Sequence, residues 1–459
     1  MTQNSTKKTQ LTDEEKKSWD ILKQKLIEGQ EGRIEISQAE FGVLCNLSDT
    51  QAGRRLHRFK EVRLISMERE KPGNNKSLIT WLEYGNYKKE FDNKPMTPPT
   101  GIVPLDSPFY LEREADKKCK EKLKNGANRE GSRPFIRIRA PKQMGKSSLL
   151  LRIQQYLEEQ PNHIVGFVDF SDPEYFPTNV FNDLETLLEK FTLAIIETFI
   201  KSLKKQGNDS IKDLPDFNEF WNHTNHNLDP YNRCSNYLQD YIFSKIKQRK
   251  ILILDGLDAI LGKPIEYSEF TKYLRNWNEH KMKFRQLSQP PIVWPSLVIA
   301  YSTEPYSTLG IRGSVLENVG IVIELPYFSK EEIIQQSKKY SLPELLTEGE
   351  IEFLMKLTGG HPALLNRALE QVSQGITLSK LETKAFQLKG VFWDYLSFAS
   401  NILEKNERFS QCLQKIINGE MCKDDDAKEQ LFNAGIIKYD DDDKVIAIGL
   451  YQNYFIKIF

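Results

Sequence analysis

The chain has 459 residues, more than one ordinary hydrophobic core organises, so about three domains are expected. Its 64 Lys plus Arg are matched by 64 Asp plus Glu, which excludes a global field for nucleic acid or anionic membranes and leaves any basic surface local. The most apolar stretches, such as Ile251 to Leu254 and Ile292 to Ala300, fall well short of the roughly 18 residues of a membrane span, and the N-terminus has no apolar leader run, which points to the cytoplasm.

The first ten residues are polar and are expected to lie outside the fold. Leu11 to Ile27 has helical spacing through Trp19, Leu22 and Leu26. The run starting at Ile36 reads as a short helix, Asn46 to Asp49 as a turn, and Gln51 to Glu61 as a second helix. Val62 to Tyr84 reads as two strands around a turn-rich tip from Lys71 to Lys76. A helix, then helix-turn-helix, then a hairpin is the order of a winged helix, expected over residues 1–92. Three prolines between Asn93 and Gly101 mark residues 93–103 as a semi-stiff linker.

From residue 104 to 326, apolar strands alternate with helical segments: Phe135 to Arg139, Ile164 to Phe170, Ile251 to Leu254 and Ser296 to Ala300 are the strands. Such alternation implies an α/β fold with a parallel sheet. Short helices follow, assigned as a helical lid over 327–380. A last unit over 381–459 has helices around Val391 to Leu403 and Phe409 to Ile417 and a hairpin near Asp440 to Asp443; it again has the order of a winged helix. The five cysteines are odd in number, scattered and without a CxxC pair, and are expected to be reduced core thiols.

Ala140-Pro-Lys-Gln-Met-Gly-Lys-Ser147 fits the Walker A pattern with Ala for its first Gly, and it follows a strand and opens a helix. In that setting the backbone from Ala140 through Gln143, Met144 and Gly145 to Ser148 closes round the phosphates of ATP. Lys146 then reaches the β- and γ-phosphates, and Ser147 holds Mg2+. Ile251-Leu-Ile-Leu-Asp255 is the Walker B candidate, a buried strand ending in a carboxylate for the magnesium shell. Gly256 stands where many such ATPases place a water-polarising glutamate. Asp258 is the nearest replacement, with a helix cap as its simpler role.

Residues from about Thr100 onward resemble the bacterial AAA-like domain family that is especially common in cyanobacteria, within the wider STAND class of signalling NTPases. The marks are Pro104-Leu-Asp-Ser-Pro-Phe-Tyr, Ile136-Arg-Ile-Arg-Ala-Pro-Lys-Gln-Met-Gly-Lys-Ser-Ser-Leu, Tyr301-Ser-Thr-Glu-Pro-Tyr, Ile323-Glu-Leu-Pro-Tyr-Phe, Gly359-Gly-His-Pro and Leu450-Tyr-Gln-Asn-Tyr-Phe. The resemblance implies an ATP-binding P-loop core, a helical lid and a winged-helix unit near the C-terminus. It carries Lys146, Ser147 and Asp255 to phosphate and metal roles, Ser302 or Thr303 to a γ-phosphate sensor position, and His361 and Pro362 to the lid motif over base and ribose. Ser302 and Thr303 serve equally as turn caps. His361 reads as an ordered surface residue rather than a catalyst, and Arg275 and Arg285 as solvated residues rather than fingers of an oligomer. Gly256 departs from the family pattern and favours slow turnover.

In the amino-terminal segment, Arg54, Arg55 and Arg58 lie on the second helix, and Lys71 and Lys76 flank the hairpin tip. A basic helix beside a basic wing suits duplex DNA, with a protein partner as the alternative. The expected function is an ATP-driven, slowly hydrolysing switch acting through a protein effector or DNA, with ATP/ADP as ligands and nucleotide-dependent homo-oligomers. The alternatives are a DNA-binding AAA-type regulator or loader, and a nucleotide-binding scaffold without hydrolysis.

Overall fold

The computed structural model describes residues 11–28, 33–61, 64–68, 76–81, 101–128, 134–211, 213–224, 227–260, 268–277, 294–302, 316, 319–340, 342, 345–387, 389–440 and 442–459. The chain forms two compact units, 1–97 and 98–459. The proline-rich linker from 93 to 100, the hairpin tip with Lys71, and Thr303 and Arg285 lie outside the described residues.

The first unit contains α1 (Asp13–Glu28), β1 (Arg33–Ser37), α2 (Gln38–Cys45), α3 (Asp49–Glu61), β2 (Ile65–Glu68) and β3 (Lys76–Trp81). Its strands form an antiparallel sheet in the order β1-β3-β2. The start of the expected first short helix is therefore corrected. Ile36 and Ser37 belong to β1, and the helix begins only after Ser37, whose hydroxyl accepts from Glu40 N–H while the Glu40 carboxylate returns to Ser37 N–H. That reciprocal cap fixes where strand becomes helix. Asn46, at φ 53°, ends α2 in the left-handed region that Asn tolerates. Leu22, Leu26, Phe41, Leu56, Phe59 and Ile79 close a small core beneath the sheet.

The second unit is a mixed α/β core joined to a helical region. The core has α4 (Glu114–Asn128), β4 (Phe135–Arg139), α5 (Lys146–Glu158), β5 (His163–Asp169), α6 (Leu184–Lys205), α7 (Pro230–Tyr237), β6 (Arg249–Asp255), β7 (Ser296–Tyr301) and β8 (Ile321–Glu324). All pairings are parallel, in the order β5-β6-β7-β4-β8. The strand bearing the phosphate loop and the strand ending in Asp255 are thus separated by β7. Both sheet faces are covered, as parallel sheets require. Leu149, Ile153 and Cys119 pack on one face, and Phe191, Phe199 and Trp277 on the other. Along the edge strand β5, the N–H groups of Val165 and Phe167 donate to the hydroxyls of Ser202 (3.2 Å) and Thr198 (2.8 Å) on α6. β8 is a strand that the apolar pattern did not reveal, because it has only four residues and two of them are exposed.

The helical region comprises α8 (Lys330–Ser337), α9 (Glu348–Thr358), α10 (Pro362–Ser373), α11 (Leu378–Lys384), α12 (Trp393–Glu404), α13 (Glu407–Ile417), α14 (Asp425–Asn433), the antiparallel pair β9 (Ile437–Tyr439) and β10 (Val445–Ala447), and α15 (Gly449–Phe455). Side chains from Phe328 to Phe455 share one hydrophobic core, so the segment 327–380 and the segment 381–459 are packed as one body. Here the expectation of reduced thiols is corrected: Cys412 and Cys422 form a disulfide, because α13 and the loop after it bring their Cα atoms to 5.4 Å. Cys45, Cys119 and Cys234 are free thiols.

Candidate functional site

The phosphate loop runs from the end of β4 to the first turn of α5. Gly145 caps the helix at φ 91°, and Gln143 also takes a positive φ of 60°. Backbone turned this way points successive N–H groups into one concavity at the positive end of a helix. Ala140 and Met144 are buried in the core between sheet and helix, so their side chains anchor the loop while their backbone shapes it. Lys146 is buried, and its Nζ donates to the carbonyls of Ala140 (3.0 Å) and Pro141 (2.9 Å). Burial lowers its pKa to about 8, against the opposing pull of Asp258 and Asp255. Ser148, expected at the phosphates, uses its hydroxyl to accept from Val103 N–H (2.9 Å). It fastens the approach segment to α5.

The carboxylate end of the site is built by the ends of three strands. Asp255 is buried at the end of β6, where its Oδ1 accepts from Gly256 N–H (2.9 Å) and its side chain bonds Ser147. Burial raises its pKa, with Asp169 adding to the rise and Ser147, Gly256 and Lys146 opposing it. Ser147 and Asp255 therefore meet as a Mg2+ site needs, one hydroxyl and one carboxylate beside the phosphate loop. Asp258 does not simply cap its own turn. Its carboxylate accepts from the backbone N–H of Ser302 (2.8 Å) and from the Ser302 hydroxyl, tying the Walker B segment to the end of β7. Both of its oxygens are engaged.

A cavity of about 660 Å³ opens over the loop, bounded by Lys142 to Ser148 on the core side and by Phe328, His361, Pro362 and Tyr395 on the helical side. Its volume suits a nucleotide. His361 is buried, not an ordered surface residue, and this corrects the sequence expectation. Its Nε2 lies 3.1 Å from the Lys142 carbonyl, which can only accept, so Nε2 carries the proton; among the described residues, buried Nδ1 has no hydrogen-bond partner. Burial lowers the His361 pKa to about 4. The N–H of the same Lys142 donates to the carbonyl of Asn433 (3.0 Å) at the end of α14.

Two residues that the motifs did not single out join the site. Arg113, immediately before α4, is buried and lines the cavity, and among the described residues neither its Nε nor its Nη1 has a hydrogen-bond partner. A Cβ placed on Gly145 would lie 3.2 Å from its Nη2. A buried, partly unsatisfied guanidinium against the phosphate loop fits an anionic ligand. The other is Asp169, which ends β5 beside Asp255 as Asp255 ends β6, and a carboxylate ending an apolar strand was the signal for it. Of the basic residues in the first unit, Arg54 is exposed, whereas Arg55 pairs with Glu14 (3.0 Å) and Glu15 (3.8 Å) and Arg58 with Glu15 (3.9 Å). Lys76 opens β3. Arg275 is half-buried on a helix across 268–277.

Residues 98–457 match the model of the AAA-like domain family. The chain belongs to that family. A WD repeat-containing protein of Synechocystis sp. is 22% identical over 292 residues; the match takes in 62% of this chain but only 22% of that protein's length. Among solved structures, the ORC1 protein of Aeropyrum pernix in complex with DNA aligns with a TM-score of 0.37 and 12% identity, over 77% of this chain and 95% of that one. The RuvB Holliday junction branch migration motor of Thermotoga maritima aligns at 0.36 and 13%, over 76% and 95%. Cdc6p of Pyrobaculum aerophilum gives 0.36 and 14%, over 77% and 97%. In this AAA-like domain no described helix is long and apolar enough to cross a membrane.

Proposed function

We propose that the chain is a cytoplasmic STAND-type switch that binds ATP with Mg2+, hydrolyses it slowly and reports the nucleotide state through its helical region. The observation that carries this is Lys142. One peptide unit on each side of this phosphate-loop residue is held by the helical region, its C=O by His361 and its N–H by Asn433. A ligand that reshapes the loop backbone must therefore disturb or reinforce two contacts made by α10 and α14. Differential affinity for two arrangements is all a switch needs, so rapid turnover is not required.

In this scheme Lys146 leaves the carbonyls of Ala140 and Pro141 for the phosphates, and Arg113 supplies a second cation. Ser147 and Asp255 hold Mg2+, which when bound neutralises charge on the β- and γ-phosphates. Asp258 holds the Ser302 hydroxyl in position to sense the γ-phosphate, and Pro362 with His361 borders the base and ribose side. The test is calorimetric titration with Mg-ATP of the wild type and Lys146→Ala, combined with hydrogen exchange in the ATP and ADP states. Binding lost in the variant, with protection at 357–366 and 431–436 that differs between ATP and ADP, is expected. Equal affinity sinks the site, and identical exchange sinks the switch.

The second role is duplex DNA binding by the first unit, read as a winged helix with Arg54, Arg55 and Arg58 on α3 and Lys71 and Lys76 on the wing. Its support is the clustering of these charges in a chain of net charge +0. It ranks second because Glu14 and Glu15 already engage Arg55 and Arg58. A protein effector and nucleotide-dependent self-association complete the proposal.

A further inference from the structure

The Walker B strand ends in Asp255 followed by glycine, and the structure contains the reason that no side chain stands there. Gly256 has φ 71°, a left-handed conformation that L-residues rarely adopt. A Cβ on it would come within 2.8 Å of Asp169 Oδ1 and 2.9 Å of the Ser171 backbone nitrogen. The second contact is with main chain and cannot move aside. The space a glutamate at 256 would enter is thus already held by the carboxylate of Asp169.

We propose that Asp169 is the water-positioning carboxylate of this ATPase, delivered from the neighbouring strand β5 in place of the glutamate missing at position 256. The parallel register places Asp169 directly opposite Asp255, and Phe170 N–H donates to the Asp255 carbonyl (3.0 Å), so the two strand ends are locked side by side. Ser171 engages only Oδ1 of Asp169, through its N–H (2.8 Å) and its hydroxyl (2.6 Å), which fixes the carboxylate plane. Asp169 also borders a second cavity, of about 350 Å³, together with Ser147 and Asp255. That cavity meets the cavity over the phosphate loop at Ile102 and Ser147, so Asp169 borders space that adjoins the proposed magnesium residues. The other two carboxylates are committed, Asp255 to Ser147 and Gly256, and Asp258 with both oxygens to Ser302.

In the reaction, the oxygen of the water held by Asp169 bonds to the γ-phosphorus. The bond from that phosphorus to the β–γ bridging oxygen breaks, its electron pair leaves on ADP, and the water's proton ends on the inorganic phosphate. The inference rests on the ATPase proposed above.

The experiment uses the full chain and Asp169→Asn, whose amide oxygen still accepts from Ser171. Expected are an unchanged melting temperature and Mg-ATP affinity, phosphate release lowered about 100-fold, and weaker binding of Mg-ADP with aluminium fluoride, which mimics the transferring phosphoryl group. Ser171→Ala, which removes the hydroxyl contact but keeps the backbone N–H and the carboxylate, should retain turnover within a few-fold. Phosphate release at the wild-type rate in Asp169→Asn overturns the inference alone, as does a parallel loss of Mg-ATP affinity, which would make Asp169 a metal or structural residue. A wild type that binds Mg-ATP without releasing phosphate overturns it too, whereas a wild type that binds no Mg-ATP sinks the ATPase with it.

Discussion

Acidification should loosen the contact between the phosphate loop and the helical region, with His361 as the group responsible. The ring is buried, donates from Nε2 to the Lys142 carbonyl, and among the described residues has no partner for Nδ1. Protonation would place an unpaired N–H and a positive charge in that pocket, facing the ammonium of Lys146 and near the Tyr327 ring, with Lys142 on the loop it binds. Its pKa is lowered from 6.5 to about 4, chiefly by burial. Because the folded-state value is depressed, the stabilisation is complete above pH 6.5. It declines as the unfolded chain takes up the proton first, and it is fully lost below about pH 4. Between pH 7 and pH 5 the linkage amounts to about 2 kcal/mol. For a unit the size of residues 98–459 that corresponds to about 2 to 3 °C in melting temperature. His361→Gln keeps a donor for the Lys142 carbonyl but cannot titrate. Melting of both proteins at pH 7 and pH 5 cancels the contribution of every other group, and the wild type should lose those extra degrees. Equal losses in the two proteins would refute the burial of a neutral His361 against the loop.

Three further outcomes are expected. Asp258→Asn and Ser302→Ala should each lower phosphate release while sparing Mg-ATP affinity, and the double variant should be no slower than the worse single one, since both break one link; additive losses would contradict this. Gly435→Ala puts a Cβ 3.0 Å from His361 Nε2 at a φ of 73°; it should destabilise the chain by at least about 1 kcal/mol and raise hydrogen exchange around 361, and a neutral result would argue against the wedge. Duplex binding should weaken with salt at a log-log slope of about −3 if only Arg54, Lys71 and Lys76 reach phosphates, and of about −4 to −5 if Arg55 and Arg58 also do. Glu14→Gln with Glu15→Gln should move the slope from the first value toward the second, and a salt-independent signal would point to a protein partner.

The candidate nucleotide site was legible where its chemistry is local. The strand, the loop from Ala140 to Gly145, and the helix opening at Lys146 are contiguous, and their residue types are dictated by backbone geometry. Asp255 was legible because a buried apolar strand ending in acid is rare without a purpose. What escaped depends on neighbours far away in the chain. His361 is buried only because Lys142, 219 residues earlier, and Gly435 close over it. Asp169 matters only because the parallel register sets it opposite Asp255. Arg113 opens a helix whose charged face gave no hint that one guanidinium turns inward. Strands β1 and β8, with five and four residues, are too short for alternation to stand out. The pairing of Cys412 with Cys422 follows from the bend after α13, which spacing alone does not encode.

The outer flank of β5 bears on how copies of this protein can meet. A terminal strand of a parallel sheet offers a row of amides that can recruit another chain. Along β5, Val165 and Phe167 have already spent theirs on Ser202 and Thr198, two hydroxyls one helical turn apart on α6. This border of the sheet is sealed by its own helix. Self-association through this border would then have to use side-chain surfaces that can part again, rather than a continuous intermolecular sheet that, once zipped, would be slow to release.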